Sequence, residues 1–329
     1  AAPVFPATLV PRQQQAFARD DTALPTRAAE FTGSMMPFAR PEPQLQAAVE
    51  LIQASQFDAA LYRGIREPVA QWLKERIDPI KAGTPTDAAV RAAVTYLGLG
   101  LVLMDGRGWQ VDLTGEFTRY QRALAAPVSA SELPADRSTH LDQWPFDTGD
   151  PRMDQALGAM AQAVGEVGYH RATISRICRT AKISAGYLYT RYQNKLAFFL
   201  AANDILLAHG LQAKAAFAEE LAARYGPGIA EAVVWREFQR PEYAFKRALT
   251  LEANRLARFD PQMRQVHDER EQALVEQLPV GAERAGALAY LYTEMAMAFG
   301  VYVVPNLARQ AWSLPFDTVT VPLLAQQPG

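Results

Sequence analysis

Apolar residues recur along this chain at helical spacing. Leu45, Ala48, Val49 and Ile52 stand at i, i+3, i+4 and i+7, within a helical pattern from Leu45 to Ile77 that breaks near Gly64 and Pro68. Another helix is expected from about Asp87 to Met104, stopped by Asp105-Gly106-Arg107-Gly108. Met153, Leu157, Met160, Ala161 and Val164 make one apolar face, and Ile174, Ile177, Cys178 and Ala181 a second. Phe245, Ala248, Leu249 and Leu256 make a third. Alternation with period two is nowhere sustained, so the expected fold class is all-α, built of helical bundle domains. Prolines crowd residues 1–43, which read as irregular or short-helical. Residues 127–151 hold Pro, Ser and Asp without periodicity and read as a linker.

This pattern divides the chain into a helical domain over 1–126, a linker over 127–150, a small domain over 151–200 and a second helical domain over 201–329. A thin internal repeat relates the two larger domains. FARPE at 38–42 recurs as FQRPE at 238–242, each followed by a helical pattern and then by a second one holding Glu67 or Glu269. YLGLGLVLMDG at 96–106 and YLYTEMAMAFG at 290–300 share Tyr-Leu at the start and Gly ten residues on.

Charge and cysteine content narrow the function. A net charge of −2 excludes a uniformly basic nucleic-acid coat but leaves room for a local basic patch. The single cysteine, Cys178, excludes an intrachain disulfide and a multi-cysteine zinc site. The four histidines lie far apart, so neither a metal nor a cofactor is expected. Gly98, Gly100, Gly106 and Gly108 lack the preceding strand and the following Lys-Ser/Thr of a phosphate loop, and no nucleophile has a base at motif spacing, so an enzyme is not expected. Ala285 to Val304 is long and apolar enough to span a bilayer, yet Glu294 at its middle argues for a buried or interfacial helix. No secretory leader is recognisable at the start, and the expected location is cytoplasmic.

Residues 151–200 carry seven Lys/Arg and two acids, a local +5 in a chain of −2. The segment reads as a helix of about 15 residues, a turn at Gly168-Tyr169, a short helix entered at Thr173, a tight turn at Ala181-Lys182-Ile183, and a second short helix entered at Ser184. Thr173, Ser184 and Asn194 are placed as N-cap acceptors. Two short helices joined by such a turn form a helix-turn-helix, whose second helix fits a DNA major groove.

These residues resemble the DNA-binding domain of the tetracycline-repressor (TetR) family of bacterial transcriptional regulators. The resemblance runs without a gap through Gly168-Tyr169, Thr173, Ile177-Cys178, Ala181-Lys182-Ile183-Ser184, Gly186-Tyr187-Leu188-Tyr189, Arg191-Tyr192 and Asn194-Lys195, about 48 of 329 residues. Three positions depart from the pattern: Lys182 replaces a turn glycine, Ala172 a threonine, and Leu196 a glutamate.

The resemblance implies a double-stranded operator as partner. Thr173, Tyr189 and Lys195 are expected on phosphates, and Ala185, Tyr187 and Thr190 toward base edges. Lys182, Ser184 and Arg191 lie at the same surface, and Gly186 admits close approach. A plain surface lysine and a packing glycine remain the alternatives for Lys195 and Gly186. Cys178 reads as a core residue. The family's cavity for a small, mostly apolar effector is expected among Trp235, Phe245, Met263, Tyr290, Glu294 and Met297, with Glu294 and Arg255 as polar contacts.

The reading that follows is a ligand-responsive repressor. Its rival is a degenerate regulator, motivated by Lys182 and Ala172, that pairs with other proteins without productive DNA binding. Family members dimerise through their last helices, so residues 30–125 are expected to act as a second copy of that domain. Helix 88–104 should then pack on 284–304 as a pseudo-dimer within one chain, with a second helix-turn-helix expected upstream of Ala1. Pairing of two chains is the alternative.

Overall fold

The computed structural model describes residues 43–55, 57, 64, 67, 70–71, 85–104, 111–126, 129–138, 146–278, 280, 283–304 and 314–325. Among them there is no strand, and the all-α expectation holds. The helices are α1 (Pro43–Ala54), α2 (Pro85–Met104), α3 (Thr114–Ala125), α4 (Pro151–Val167), α5 (Ile174–Ala181), α6 (Ala185–Tyr189), α7 (Lys195–Tyr225), α8 (Pro227–Phe238), α9 (Ala244–Phe259), α10 (Pro261–Glu276), α11 (Arg284–Val303) and α12 (Asp317–Leu324). A 3-10 turn, Pro241–Tyr243, leads into α9. The expected irregular stretch at 1–42 and the turn at 105–108 lie outside the described residues, as does most of the pattern beyond Ala54.

The larger core joins the two ends of the chain. Helix α2 lies along α11, as the sequence led us to expect, and α3 along α12. Tyr96, Leu97, Phe117, Tyr120 and Phe316 are fully buried there. The α2–α11 contact is backbone to backbone. A Cβ placed on Gly100 would sit 1.6 Å from the Ala296 carbonyl oxygen, and one on Gly300 2.0 Å from that of Tyr96. Only glycine permits such an approach, and close approach maximises dispersion contact along both helices. Side chains then tie the elements around this seam to one another. The Tyr96 hydroxyl donates to Gln239 Oε1 at 2.7 Å, Arg119 Nη1 donates to the Leu323 carbonyl at 3.1 Å, and Arg258 joins Glu50 at 2.9 Å.

Among the described residues, two helices are long and apolar enough to cross a membrane by composition, α2 (87–104) and α7. The α2 window is buried against α11, and Ala285–Val304, the stretch flagged in the sequence, forms its partner. A second core unites α4, α5, α6 and the start of α7 with Leu249, Ala253 and Leu256 of α9 and Met263 of α10. The boundary read at 200 therefore falls inside the continuous helix α7.

The described part of the linker has no helix, and 129–138 is pinned down rather than free. The Ser131 amide and hydroxyl donate to Asp317 Oδ2. Arg236 donates to the Leu133 and Asp136 carbonyls, and Asp136 takes Arg224 and the Tyr225 hydroxyl.

Candidate nucleic-acid interface

Each helix of the 151–200 region starts on a side-chain cap, and the caps fix its geometry. Asp150 accepts from the amides of Arg152 and Met153, with Pro151 in the first turn of α4. Thr173 caps α5 through the Arg176 amide, Ser184 caps α6 through that of Tyr187, and Asn194 caps α7 through that of Ala197. The last three caps are those expected from the sequence. Helix α4 ends where Gly168 takes φ +78°, a conformation that favours glycine.

The turn between α5 and α6 closes around Lys182, the one non-glycine residue with positive φ among those described (φ 54°, ψ 40°). The Ile183 amide reaches back to the Cys178 carbonyl at 3.0 Å, which satisfies the end of α5. Lys182 thus adopts the conformation for which a glycine would serve, at a cost of about 1 kcal/mol. Ala172 and Cys178 are buried in the core, and burial pushes the Cys178 thiol up.

The outer face of α5–α6 exposes Thr173, Lys182, Ser184, Ala185, Gly186, Tyr189, Thr190 and Arg191 together. Tyr189 is 48% exposed, large for a ring with nothing to cover it. Tyr187, expected to face bases, is half-buried. Its ring lies between Arg152 (4.4 Å) and Arg191 (5.0 Å), and its hydroxyl donates to Asp150, which also holds Arg191 at 2.8 Å. The hydrogen bond from Tyr187 holds the Asp150 carboxyl below its usual range and raises the phenol. Lys195 is also half-buried, donating from Nζ to the Tyr169 carbonyl at 2.5 Å over the Tyr169 ring. Desolvation lowers its pKa.

Asp150 was missed in the sequence because it closes a stretch that reads as linker. The Asp-Pro pair before an apolar-periodic run was the available signal.

This region meets its neighbours through α9. A Cβ on Gly165 would lie 2.8 Å from the Phe245 carbonyl oxygen, and the Tyr169 amide donates to Glu252 Oε1 at 2.9 Å. Arg255, expected near the effector, instead clamps that same Glu252 at 2.7 and 3.0 Å. Arg171 donates to the Phe57 carbonyl, so segments from both sides of the region in sequence touch it.

The residues proposed from sequence for an effector separate. Trp235, Glu294 and Met297 line one small cavity of about 20 Å³ together with Lys214 and Glu231. Phe245 backs onto Gly165, Met263 is in the second core, and Tyr290 lies under the Arg119 guanidinium at 5.3 Å. Burial first, and then Glu231, push the Glu294 carboxyl up to about 7. A larger cavity of about 80 Å³ opens beside it between α7, α8, α9 and α11, sharing Lys214, Phe238 and Tyr302. No cluster suited to a metal ion is present among the described residues.

A capped helix pair with an exposed second helix on a basic island defines a helix-turn-helix DNA-binding domain. Its sequence agrees: residues 157–202 match the family model of bacterial regulatory proteins, tetR family. Residues 157–202 thus form a TetR-type DNA-binding domain, which supports a DNA-binding transcriptional regulator. The chain matches none of the curated proteins.

Proposed function

We propose that this regulator is a cytoplasmic, ligand-responsive repressor. The helix-turn-helix grips an operator, and an effector held between α7, α8, α9 and α11 loosens the grip. The observation that carries this reading is α9 itself. Lys246, Arg247, Leu249 and Thr250 line the 80 Å³ cavity, while Phe245 and Glu252 on the same four turns hold Gly165 and Tyr169 of the DNA-binding region. A shift or roll of α9 on ligand binding is transmitted to α4 through those two contacts.

Fluorescence anisotropy against operator and random duplexes over a salt series tests DNA binding. Tight binding that weakens steeply with salt is expected; no affinity and a flat salt response would sink it. Within that assay Lys195→Ala should weaken all duplexes about equally and lower the salt slope by about 1, while Tyr187→Ala should erode discrimination between sequences. An exchange of the two phenotypes would mean that α6 enters the groove rotated from this placement.

The same proposal makes residues 43–125 a second copy of the domain at 244–325, docked as a pseudo-dimer. Supporting it, α1, α2 and α3 correspond to α9, α11 and α12 at a separation close to 200 positions, the separation of FARPE (38) from FQRPE (238). At that separation the closest contacts exchange partners: Gly100 meets Ala296, and Tyr96 meets Gly300. Reciprocity of this kind is the mark of a twofold interface. The register is that of the FARPE motif; aligning Tyr96 with Tyr290 instead places the second stretch six residues out. Light scattering at dilute concentration distinguishes a monomer near 36.3 kDa, as the pseudo-dimer requires, from an obligate dimer.

A further inference from the structure

Resting on the operator-binding reading above, we infer that Asp150 is a latch: in the DNA-free protein it holds Arg191 and the Tyr187 hydroxyl, and it yields both to the operator when DNA binds. The two carboxylate oxygens divide the work. Oδ1 accepts from the amides of Arg152 and Met153, at 3.1 and 3.4 Å, and caps α4. Oδ2 accepts from the Tyr187 hydroxyl and, at 2.8 Å, from Arg191 Nη2. Capping uses one oxygen and leaves the second for the recognition helix. A guanidinium and a hydroxyl converging on one anionic oxygen are the donors that a DNA phosphate takes. Asp150 supplies such an oxygen from within the chain. Both donors belong to the face expected on DNA, Tyr187 within α6 and Arg191 two residues beyond its end. The exchange asks little of the fold. Arg152 lies over the Tyr187 ring at 4.4 Å and holds it from α4, so end groups move and the helix does not. The Arg191 side chain is 45% exposed and that of Asp150 27%, so a phosphate can reach the pair. An ion pair this exposed is worth little, and a polyanion displaces it.

Asp150→Asn separates the latch from the cap, because asparagine caps a helix as well as aspartate does but offers no second oxygen. Asp150→Ser also caps with a single oxygen, and it guards against a defect peculiar to asparagine. Fluorescence anisotropy of the full chain with operator and random duplexes, beside a circular dichroism melt, reads the outcome. Both variants should melt as wild type does. Random duplex should bind about threefold more tightly, since Arg191 is no longer tied. Operator should gain about tenfold, since the Tyr187 hydroxyl is freed as well. In an Arg191→Gln background the gain on random duplex should vanish, because the latch has no guanidinium left to release. An equal gain in that background overturns the inference, as it marks a carboxylate that merely repels DNA. Wild-type binding that neither variant tightens also overturns it, and leaves the operator reading standing. No duplex bound by wild type or by either variant removes the operator reading and the latch with it.

Discussion

The helix-turn-helix and the α2–α11 seam are both helix contacts, but they are specified in opposite ways. In the first, Asp150, Thr173, Ser184 and Asn194 tie each helix start to a defined amide, so position is set by hydrogen bonds within three residues. In the second, α11 has no side-chain cap at its start, and position is set by two glycines that let backbones touch. Local hydrogen bonds tolerate volume changes on the open face; a backbone contact tolerates none. The DNA-binding region can thus vary its surface residues while keeping its frame, whereas the seam must keep its small residues.

The largest test of this contrast pairs two glycines. Gly100→Ala should cost about 3 kcal/mol or more in denaturant unfolding, because its Cβ must displace the Ala296 carbonyl. Gly186→Ala meets nothing nearer than Ser184 Oγ at 3.8 Å and should stay within about 0.5 kcal/mol of wild type. Equal losses would erase the distinction.

Asp150→Ala comes next, since it removes a cap and frees Tyr187 and Arg191. We expect the melting temperature to fall by about 2–4 °C and operator discrimination to change with it. A fall in stability with unchanged discrimination would show that Asp150 only caps.

At the other region Glu294→Gln should stabilise the chain by on the order of 1 kcal/mol at pH 8. The sign follows from the raised carboxyl. The folded state holds its proton up to about pH 7 and the unfolded state releases it near 4.5, so stability falls as pH rises through that window and the variant escapes the fall. Melts at pH 4.5 and 8 check it; a gain that does not grow with pH refutes the cause.

The smallest effect is Lys182→Gly, about 0.5–1 kcal/mol of relief at φ 54° set against the entropy of a more flexible unfolded chain. A rise in operator affinity by orders of magnitude would instead favour the protein-interaction reading, in which the present turn is impaired.

The same contrast governs what was legible in the sequence. Thr173, Ser184 and Asn194 announce their roles because a cap is a residue type at a fixed offset, and Cys178 sits on an apolar face whose period is visible. The seam was visible only as two apolar helices. Its register depends on which small residue meets which carbonyl, and the shared Tyr-Leu dipeptide pointed to a different alignment from the contacts at Gly100 and Gly300. Among the effector residues, Trp235, Glu294 and Met297 came together because they line inward faces of α8 and α11. Lys214, Lys246 and Arg247 escaped notice, since a cation on a helix reads as solvent-facing until a neighbouring helix covers it. Glu252 was missed for the same reason, its partner amide being 83 residues away.

The pairing of α2 with α11 also sets a schedule for synthesis. The ribosome completes α2 about 180 residues before it begins α11, an interval of roughly 10–40 s at ~5–20 residues per second. Through that interval a helix whose 87–104 window has mean hydropathy 1.5 waits without the surface that buries it in the finished chain. Nascent chains are therefore open to holding chaperones and to premature self-association at this helix, and slow translation between 105 and 284 lengthens the exposure.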